Sequence, residues 1–231
     1  MSSDDRVHLR LAELVRELDT KGQTDVDSML GDITRAAVEY VPGAHAAGMT
    51  VVERGRRVRT VGATSDYAST LDEIQGRHNE GPCLSAAWED HTVQVDDLAS
   101  DHRWARFQRD ALAETPCRSS VSYQMFSHDN TMGALNLYAT EPHAFSSESV
   151  ESGLVFATHS AVIWGALRRD SQYRSALASR DLIGQAKGML MERFGIDAVG
   201  AFDLLTKLSQ ESNTKVIEIA QRVVDTGGRG R

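Results

Sequence analysis

The chain has 231 residues, 41% of them hydrophobic and 25% charged, a globular composition that excludes an extended disordered chain. Its formal charge of -8 argues against a whole-chain affinity for nucleic acid or anionic membrane. The sum is uneven, because residues 171–231 carry nine Lys/Arg against seven acids (+2) and residues 1–170 carry 16 against 26 (-10); such an asymmetry hints at a nucleic-acid-contacting end, although +2 is a weak signal.

The amino terminus, Met1-Ser2-Ser3-Asp4-Asp5, has no basic region leading into an apolar run, so no secretory signal is readable. Leu9, Leu11, Leu14, Val15 and Leu18 recur at spacings of three and four and predict a helix over residues 7–18. A second helix is predicted over residues 25–41, with Met29, Ile33, Ala36, Ala37 and Tyr40 on one side and Pro42-Gly43 ending it. The period then changes. Residues 46–52 and 57–61 read as two strands joined by Glu53-Arg54-Gly55-Arg56. A short helix over residues 84–88 and a strand over residues 91–95 follow. Residues 119–125 and 132–138 form a second hairpin around the turn formers Ser127-His128-Asp129-Asn130.

A long helix is predicted from Ser146. The serine serves as N-cap, Glu148 complements the dipole in the first turn, and Phe145 and Val150 have the spacing of a hydrophobic staple. Val150, Leu154, Ala157, Ala161 and Trp164 make a heptad-like stripe suited to pairing with a second subunit. The largely apolar run over residues 154–167 is interrupted by Thr158, His159 and Ser160 and falls short of the roughly 20 residues that span a bilayer. The stripe breaks at Arg168-Arg169-Asp170-Ser171, which sets a domain boundary between residues 1–168 and 169–231. No proline or glycine forces a loop there, so the helix is free to run through as a connector. Three helices follow: residues 172–193, one capped by Asp197 and carrying Ala201, Phe202, Leu205 and Leu208, and one after Asn213 or Thr214 burying Val216, Ile219, Ala220 and Val223. Antiparallel strand pairs with segregated helices make the first domain α+β, and the second is all-α.

Cys83 and Cys117, without a CxxC pair, give no disulfide framework and fit a reducing cytoplasm. Cys83 follows Pro82 at a helix start, where unpaired N–H groups lower a thiol pKa. Together with Cys117 after Pro116, it makes a candidate redox pair. The eight histidines show neither HxxxH nor HxH spacing, so no metal site is expected. His78, His91 and His102 read as satisfied or solvated, and Trp88, Trp104 and Trp164 as core.

Ser179-Arg180-Asp181-Leu182-Ile183-Gly184-Gln185-Ala186-Lys187-Gly188-Met189-Leu190-Met191-Glu192-Arg193 is followed by Ala201-Phe202, Leu205, Ser209-Gln210-Glu211-Ser212-Asn213-Thr214-Lys215 and Ala220. This stretch resembles the ANTAR domain over about 50 residues. The resemblance implies an RNA-binding output module that acts as a homodimer on paired stem-loops of a nascent transcript and holds off a terminator hairpin. On chemical grounds, Gln185 and Asn213 suit base edges and Ser209 donates to either base or backbone, while Ser209 and Asn213 also read as cap or turn residues between the last two helices. Arg180, Lys187, Arg193 and Lys215 supply cations for phosphates. Gly184 and Gly188 leave a low patch one turn apart around Lys187. Gly200 stands where the family has a helix-favouring residue, at a propensity cost of about 1 kcal/mol. No exposed aromatic platform is expected on these helices, which disfavours a generic single-strand binder.

The helix–sheet–helix order, with Asn79-Glu80-Gly81-Pro82-Cys83-Leu84 and His91-Thr92-Val93-Gln94-Val95-Asp96-Asp97-Leu98, resembles a GAF domain over about residues 8–168. That resemblance implies sensing of a small-molecule or redox signal without naming a ligand or cofactor. The asparagine-lysine-phenylalanine-aspartate-glutamate signature of cyclic-nucleotide binders is absent. The sequence thus predicts a cytoplasmic, signal-responsive antitermination regulator without catalytic residues. Two alternatives stand beside it. One is a DNA-binding regulator that uses the last two helices as a helix-turn-helix, for which the linker 210–214 is long. The other is a thiol-dependent methionine sulfoxide reductase resting on Cys83 and Cys117.

Overall fold

The computed structural model describes Leu9, Glu13, Arg16 and residues 26–53, 57–128 and 131–227. Leu9, Glu13 and Arg16 are helical; the rest of the helix predicted over 7–18, the tip of the first hairpin at 54–56 and the tail 228–231 lie outside the described residues. The chain forms two compact units, Met1–Leu167 and Arg168–Arg231.

In the first unit α1 (Val26–Tyr40) precedes the hairpin β1 (Ala46–Glu53) and β2 (Arg57–Val61), and α2 (Asp66–His78) follows. A single turn, α3 (Pro82–Ser85), runs into a π-turn, Ala86–Asp90; then come β3 (Thr92–Val95), α4 (Ala105–Glu114), β4 (Ser119–His128) and β5 (Thr131–Ala139). All neighbours in the five-stranded sheet, order β2-β1-β5-β4-β3, are antiparallel. Strand alternation sorts the side chains between two faces. Ala47, Met49 and Val51 of β1, Leu135 and Leu137 of β5, and Val121 and Tyr123 of β4 share one hydrocarbon core with Leu30, Ile33 and Ala37 of α1. The opposite face, carrying Ala46 and Tyr138, packs with Leu71 and Ile74 of α2 and Phe107 and Ala111 of α4.

The long helix α5 (Ser147–Phe194) begins as its sequence predicts. The Ser149 N–H donates to Ser146 Oγ (3.3 Å), and Phe145 and Val150 both pack into the core. It continues unbroken through Arg168–Ser171, so the separate helix expected over 172–193 is its carboxy-terminal part. The stripe expected to face a second subunit is only partly free. Ala157 is buried, Val150, Ala161 and Trp164 pack against the core, and only Leu154 is well exposed, at 48%. The buried face follows Ser149, Ser152, Phe156, Ala157, Ser160 and Ile163 instead. Small serines that a hydrophobicity pattern passes over bring the helix close to the sheet.

A register shift in β4 between Gln124 and Phe126 inserts an extra residue. Bulges of this kind re-aim side chains. Phe126 lies opposite Gly133 and stacks on Trp164, with ring centroids 5.3 Å apart and planes 8° from parallel. A Cβ on Gly133 would collide with the Phe126 ring, so the stack needs glycine there.

In the second unit, Ala186 and Leu190 of α5, Ala201 and Leu205 of α6 (Ala198–Ser212), and Ile219 and Ala220 of α7 (Val216–Gly227) form a small core. Gly195, at φ 62°, ends α5, and Asp197 caps α6 by accepting from the Gly200 N–H at 2.8 Å. Asn213 ends α6 in the left-handed region, with φ 49° and ψ 39°. The Thr214 N–H donates to Ser209 O (3.1 Å) and the Asn213 N–H to Gln210 O (3.4 Å), the paired bonds of a Schellman turn. The α6–α7 connection is therefore three residues, Asn213 to Lys215, shorter than the linker 210–214 read from sequence.

Candidate functional site

The first unit holds a buried polar cluster on the α2 side of the sheet. Asp72 of α2 is 1% exposed. Its Oδ2 accepts from Thr50 Oγ1 of β1 (2.7 Å) and Thr60 Oγ1 of β2 (2.8 Å), and its Oδ1 from the Tyr138 hydroxyl of β5 (3.5 Å). Asn136 Nδ2 donates to Thr50 Oγ1 at 2.7 Å, extending the chain across β1 and β5. Gln75 Oε1 accepts from the Cys83 N–H (2.8 Å) and ties α2 to the start of α3. Two polar atoms of this face, Asn136 Oδ1 and Ser122 Oγ, are buried without a hydrogen-bond partner among the described residues; Ser122 and Asn136 are directly paired across β4 and β5. Burial pushes the Asp72 carboxyl from 3.8 up to about 6, against the lowering effect of its threonine donors.

The cysteines differ from the expectation of a lowered thiol pKa. Both are buried, and burial pushes each thiol up to about 12; for Cys83 the neighbouring Asp72 charge adds to that rise. A four-residue helical turn starting at Pro82 does not offset the lost hydration, and the Cys83 N–H is spent on Gln75. The three histidines have separate partners: His78 Nε2 with Asp110 Oδ2 (2.6 Å), His91 Nδ1 with Gln124 Oε1 (2.5 Å) and His102 Nδ1 with Gln108 Oε1 (3.2 Å). Trp104 donates its indole N–H to Ser85 Oγ at 3.1 Å. The Trp88 side chain lies outside the described residues.

In the second unit the predicted RNA contacts fall on different surfaces. Arg180, Gln185 and Arg193 of α5 are exposed and Lys187 is half-buried. Gln185 stands about 200° around the helix from Lys187 at 100° per residue, so the two project from opposite sides. Seven residues separate Arg180 from Lys187, which brings these two onto one face. Lys187 Nζ lies over the Phe202 ring, 5.8 Å from its centroid. A Cβ built on Gly184 or Gly188 meets nothing within 4 Å, so the low patch read from sequence is open. Ser209 and Asn213 serve the α6–α7 turn: Ser209 Oγ donates to Thr214 O at 2.5 Å, and Asn213 supplies the left-handed residue. The exposed Asn213 side chain and Lys215 remain at the surface of that turn.

The expected absence of exposed aromatics is overturned. Tyr173 is 66% exposed, Phe194 59% and Phe202 44%. Phe202 belongs to the apolar series of its helix, but Ala201 and Leu205 fill the core and Phe202 stays exposed. Among the described residues no group of three or more His, Cys, Asp and Glu is placed to hold a metal ion, and no helix is long and apolar enough to cross a membrane.

Comparison with known proteins adds two family matches. The GAF domain profile matches residues 23–164, and the ANTAR domain profile matches residues 171–224. No curated protein matches the chain. Among solved structures, a GAF-sensor-type protein from Burkholderia vietnamiensis is 14% identical, with 74% of this chain and 95% of that chain covered at a TM-score of 0.50. The GAF domain of a phosphoenolpyruvate-protein phosphotransferase from Coxiella burnetii is 13% identical, covering 72% and 96% at 0.48. A free methionine-R-sulfoxide reductase from Neisseria meningitidis, solved with its substrate, is 15% identical, covering 69% and 89% at 0.48. At 14% identity the likeness to the Burkholderia protein is one of fold.

Proposed function

Because this chain belongs to the GAF domain family and carries an ANTAR domain after its GAF domain, an architecture of regulatory proteins, we propose that it is a cytoplasmic transcription antitermination regulator. In this reading a signal at the GAF unit controls binding of the ANTAR unit to stem-loops of a nascent transcript, with two copies acting together. The observation that carries it is the order of the two domains on one chain, with α5 running unbroken through their boundary. Arg180 and Lys187, which share one face of α5, supply cations for phosphates, and the exposed Asn213 and Lys215 of the α6–α7 turn are further contacts; Gln185 and Arg193 point away from that face of α5 and are not part of it.

Binding of the full chain to RNA hairpins at two salt concentrations tests the reading, together with read-through of a terminator in transcription with purified polymerase. Hairpin binding that weakens in Lys187→Ala, with read-through that depends on the protein, is the expected outcome. Failure to bind any hairpin and failure to alter read-through would refute it.

One observation favours a second reading. The three-residue connection between α6 and α7 has the length of a helix-turn-helix turn. Duplex DNA included in the same assay separates the two, since tight binding to duplex alone would assign the module to DNA. The reductase alternative draws no support from the thiols, both buried and held protonated at neutral pH.

A further inference from the structure

We propose that Phe202, with the Lys187 ammonium above its ring, is a stacking platform for one unpaired base of an RNA loop. This rests on the RNA-binding reading of the helical unit and says which surface of that unit meets the loop.

Phe202 is the largest apolar side chain of α6, yet it is 44% exposed while Ala201 and Leu205 beside it are buried. Full burial of a phenyl side chain is worth roughly 1.5–3 kcal/mol, so a ring left at the edge forgoes much of that. The side chain set against it is a cation rather than more hydrocarbon, with Lys187 Nζ 5.8 Å from the centroid. That is within reach of a cation–π contact, and it leaves much of the ring open to solvent.

The adjoining face of α5 repeats this chemistry. Arg180, Gly184, Lys187, Met191 and Phe194 recur at spacings of four, three, four and three and therefore share one face. The buried residues of this stretch of α5, Leu190 and Ala186, flank that face, about 80° and about 120° around from its centre. Met191 is 36% exposed and Phe194 59%. Between Arg180 and Lys187 the strip is bare backbone, because nothing lies within 4 Å of a Cβ built on Gly184. A nucleotide in an unpaired loop offers one flat π-face and one charge. Here a ring for the first and an ammonium for the second stand side by side, with a second cation one strip away and no side chain between to hold the sugar off.

Charge decides between RNA and a second copy as the occupant. A two-fold contact sets a surface against itself, so this face would bring Arg180 and Lys187 of two chains together, and like charges juxtaposed across an interface are costly. A polyanion removes that repulsion. The nearby acids, Asp181, Glu192 and Asp203, are each one residue on from Arg180, Met191 and Phe202, about 100° around their helices.

The test uses the full chain and hairpin RNAs of one fixed stem with randomised loops, selected for binding and then compared across variants. Phe202→Leu keeps an apolar side chain without the ring, and Phe202→Tyr restores the ring. Loss of a base–aromatic stack predicts weaker binding by about fivefold to a hundredfold in Phe202→Leu, with Phe202→Tyr within about twofold of the parent. Phe202→Leu should leave the slope of log affinity against log salt unchanged, while Lys187→Gln lowers it by about one. A 5-iodouridine placed at successive loop positions should photocrosslink to Phe202 at one of them. Phe202→Leu binding as tightly as the parent, or no crosslink to Phe202, overturns the platform and leaves the RNA reading standing. A parent chain that binds none of the hairpins overturns both. A Phe202→Leu variant that loses affinity together with a change in sedimentation assigns the ring to a contact between copies, which also overturns the platform.

Discussion

Asp72→Asn isolates the energetic weight of the buried cluster. The carboxyl is 1% exposed, and its partners are two threonine hydroxyls, a tyrosine and Gln75, with no cation among them. Its pKa rises from 3.8 to about 6. Between those values the folded chain keeps a proton that the unfolded chain has released, so stability falls as pH rises through this window. At 1.36 kcal/mol per unit the full loss is about 3 kcal/mol, of which about 2 kcal/mol falls between about pH 4.5 and pH 7.5. Asparagine cannot ionise and keeps one acceptor and one donor for the two threonines. The unfolding free energy of the variant minus that of the parent should therefore move by about 2 kcal/mol in the variant's favour across that range. Urea titrations followed by far-ultraviolet circular dichroism at intervals of pH measure it. Taking the difference matters because other groups act in the opposite sense. Asp110, held down to about 2 by Arg109 and then His78, contributes stability that is lost as pH falls. A difference flat with pH would refute the reasoning, since it would mean that Asp72 titrates alike in both states.

Three further outcomes follow from the packing. Gly133→Ala should destabilise by about 1–3 kcal/mol and alter tryptophan fluorescence, because the methyl displaces Phe126 from Trp164. Asn213→Ala should lower the melting temperature through a left-handed cost of about 1–2 kcal/mol. Asn213→Gly should not, and it leaves a folded chain in which any loss of RNA affinity belongs to the amide. Cys83 and Cys117 should resist alkylation by iodoacetamide in the folded chain and react at once in denaturant, as mass spectrometry would show; fast native labelling would contradict their burial.

The elements most legible in the sequence are those whose pattern is apolar and regular. The strand read over 57–61 is β2 itself, and the cap at Ser146 and the N-cap at Asp197 stand where the sequence puts them. Helices α2 and α4 escaped the reading because few of their residues are apolar and buried. In α2 the inward face includes Asp72 and Gln75 beside Leu71 and Ile74, and in α4 it includes Phe107 and Ala111 amid four charged residues. Ser65 before α2 and the left-handed Asn79 after it were the available signals. The polar cluster was out of reach for a different reason. Thr50 and Asp72 are 22 positions apart and Thr50 and Asn136 are 86 apart, and only the sheet topology brings them together. On the helical unit, residue type leaves Ser209 and Asn213 open between base reading and turn chemistry, and the turn between α6 and α7 claims the hydroxyl of one and the backbone of the other.

The two faces of the sheet are chemically unlike, and this fixes how the strands can align. Moving β5 by one residue against β1 and β4 would carry Leu135 and Leu137 in among Thr50, Asp72 and Ser122, and would drive Asn136 into hydrocarbon beside Ile33 and Phe156. Each misplaced amide or carboxyl would lose its partners at roughly 1–3 kcal/mol apiece, on top of the apolar contacts forfeited. A slipped sheet is thus penalised on both sides at once, and the correct pairing of β1, β5 and β4 is specified by side chains whose identities look interchangeable one strand at a time.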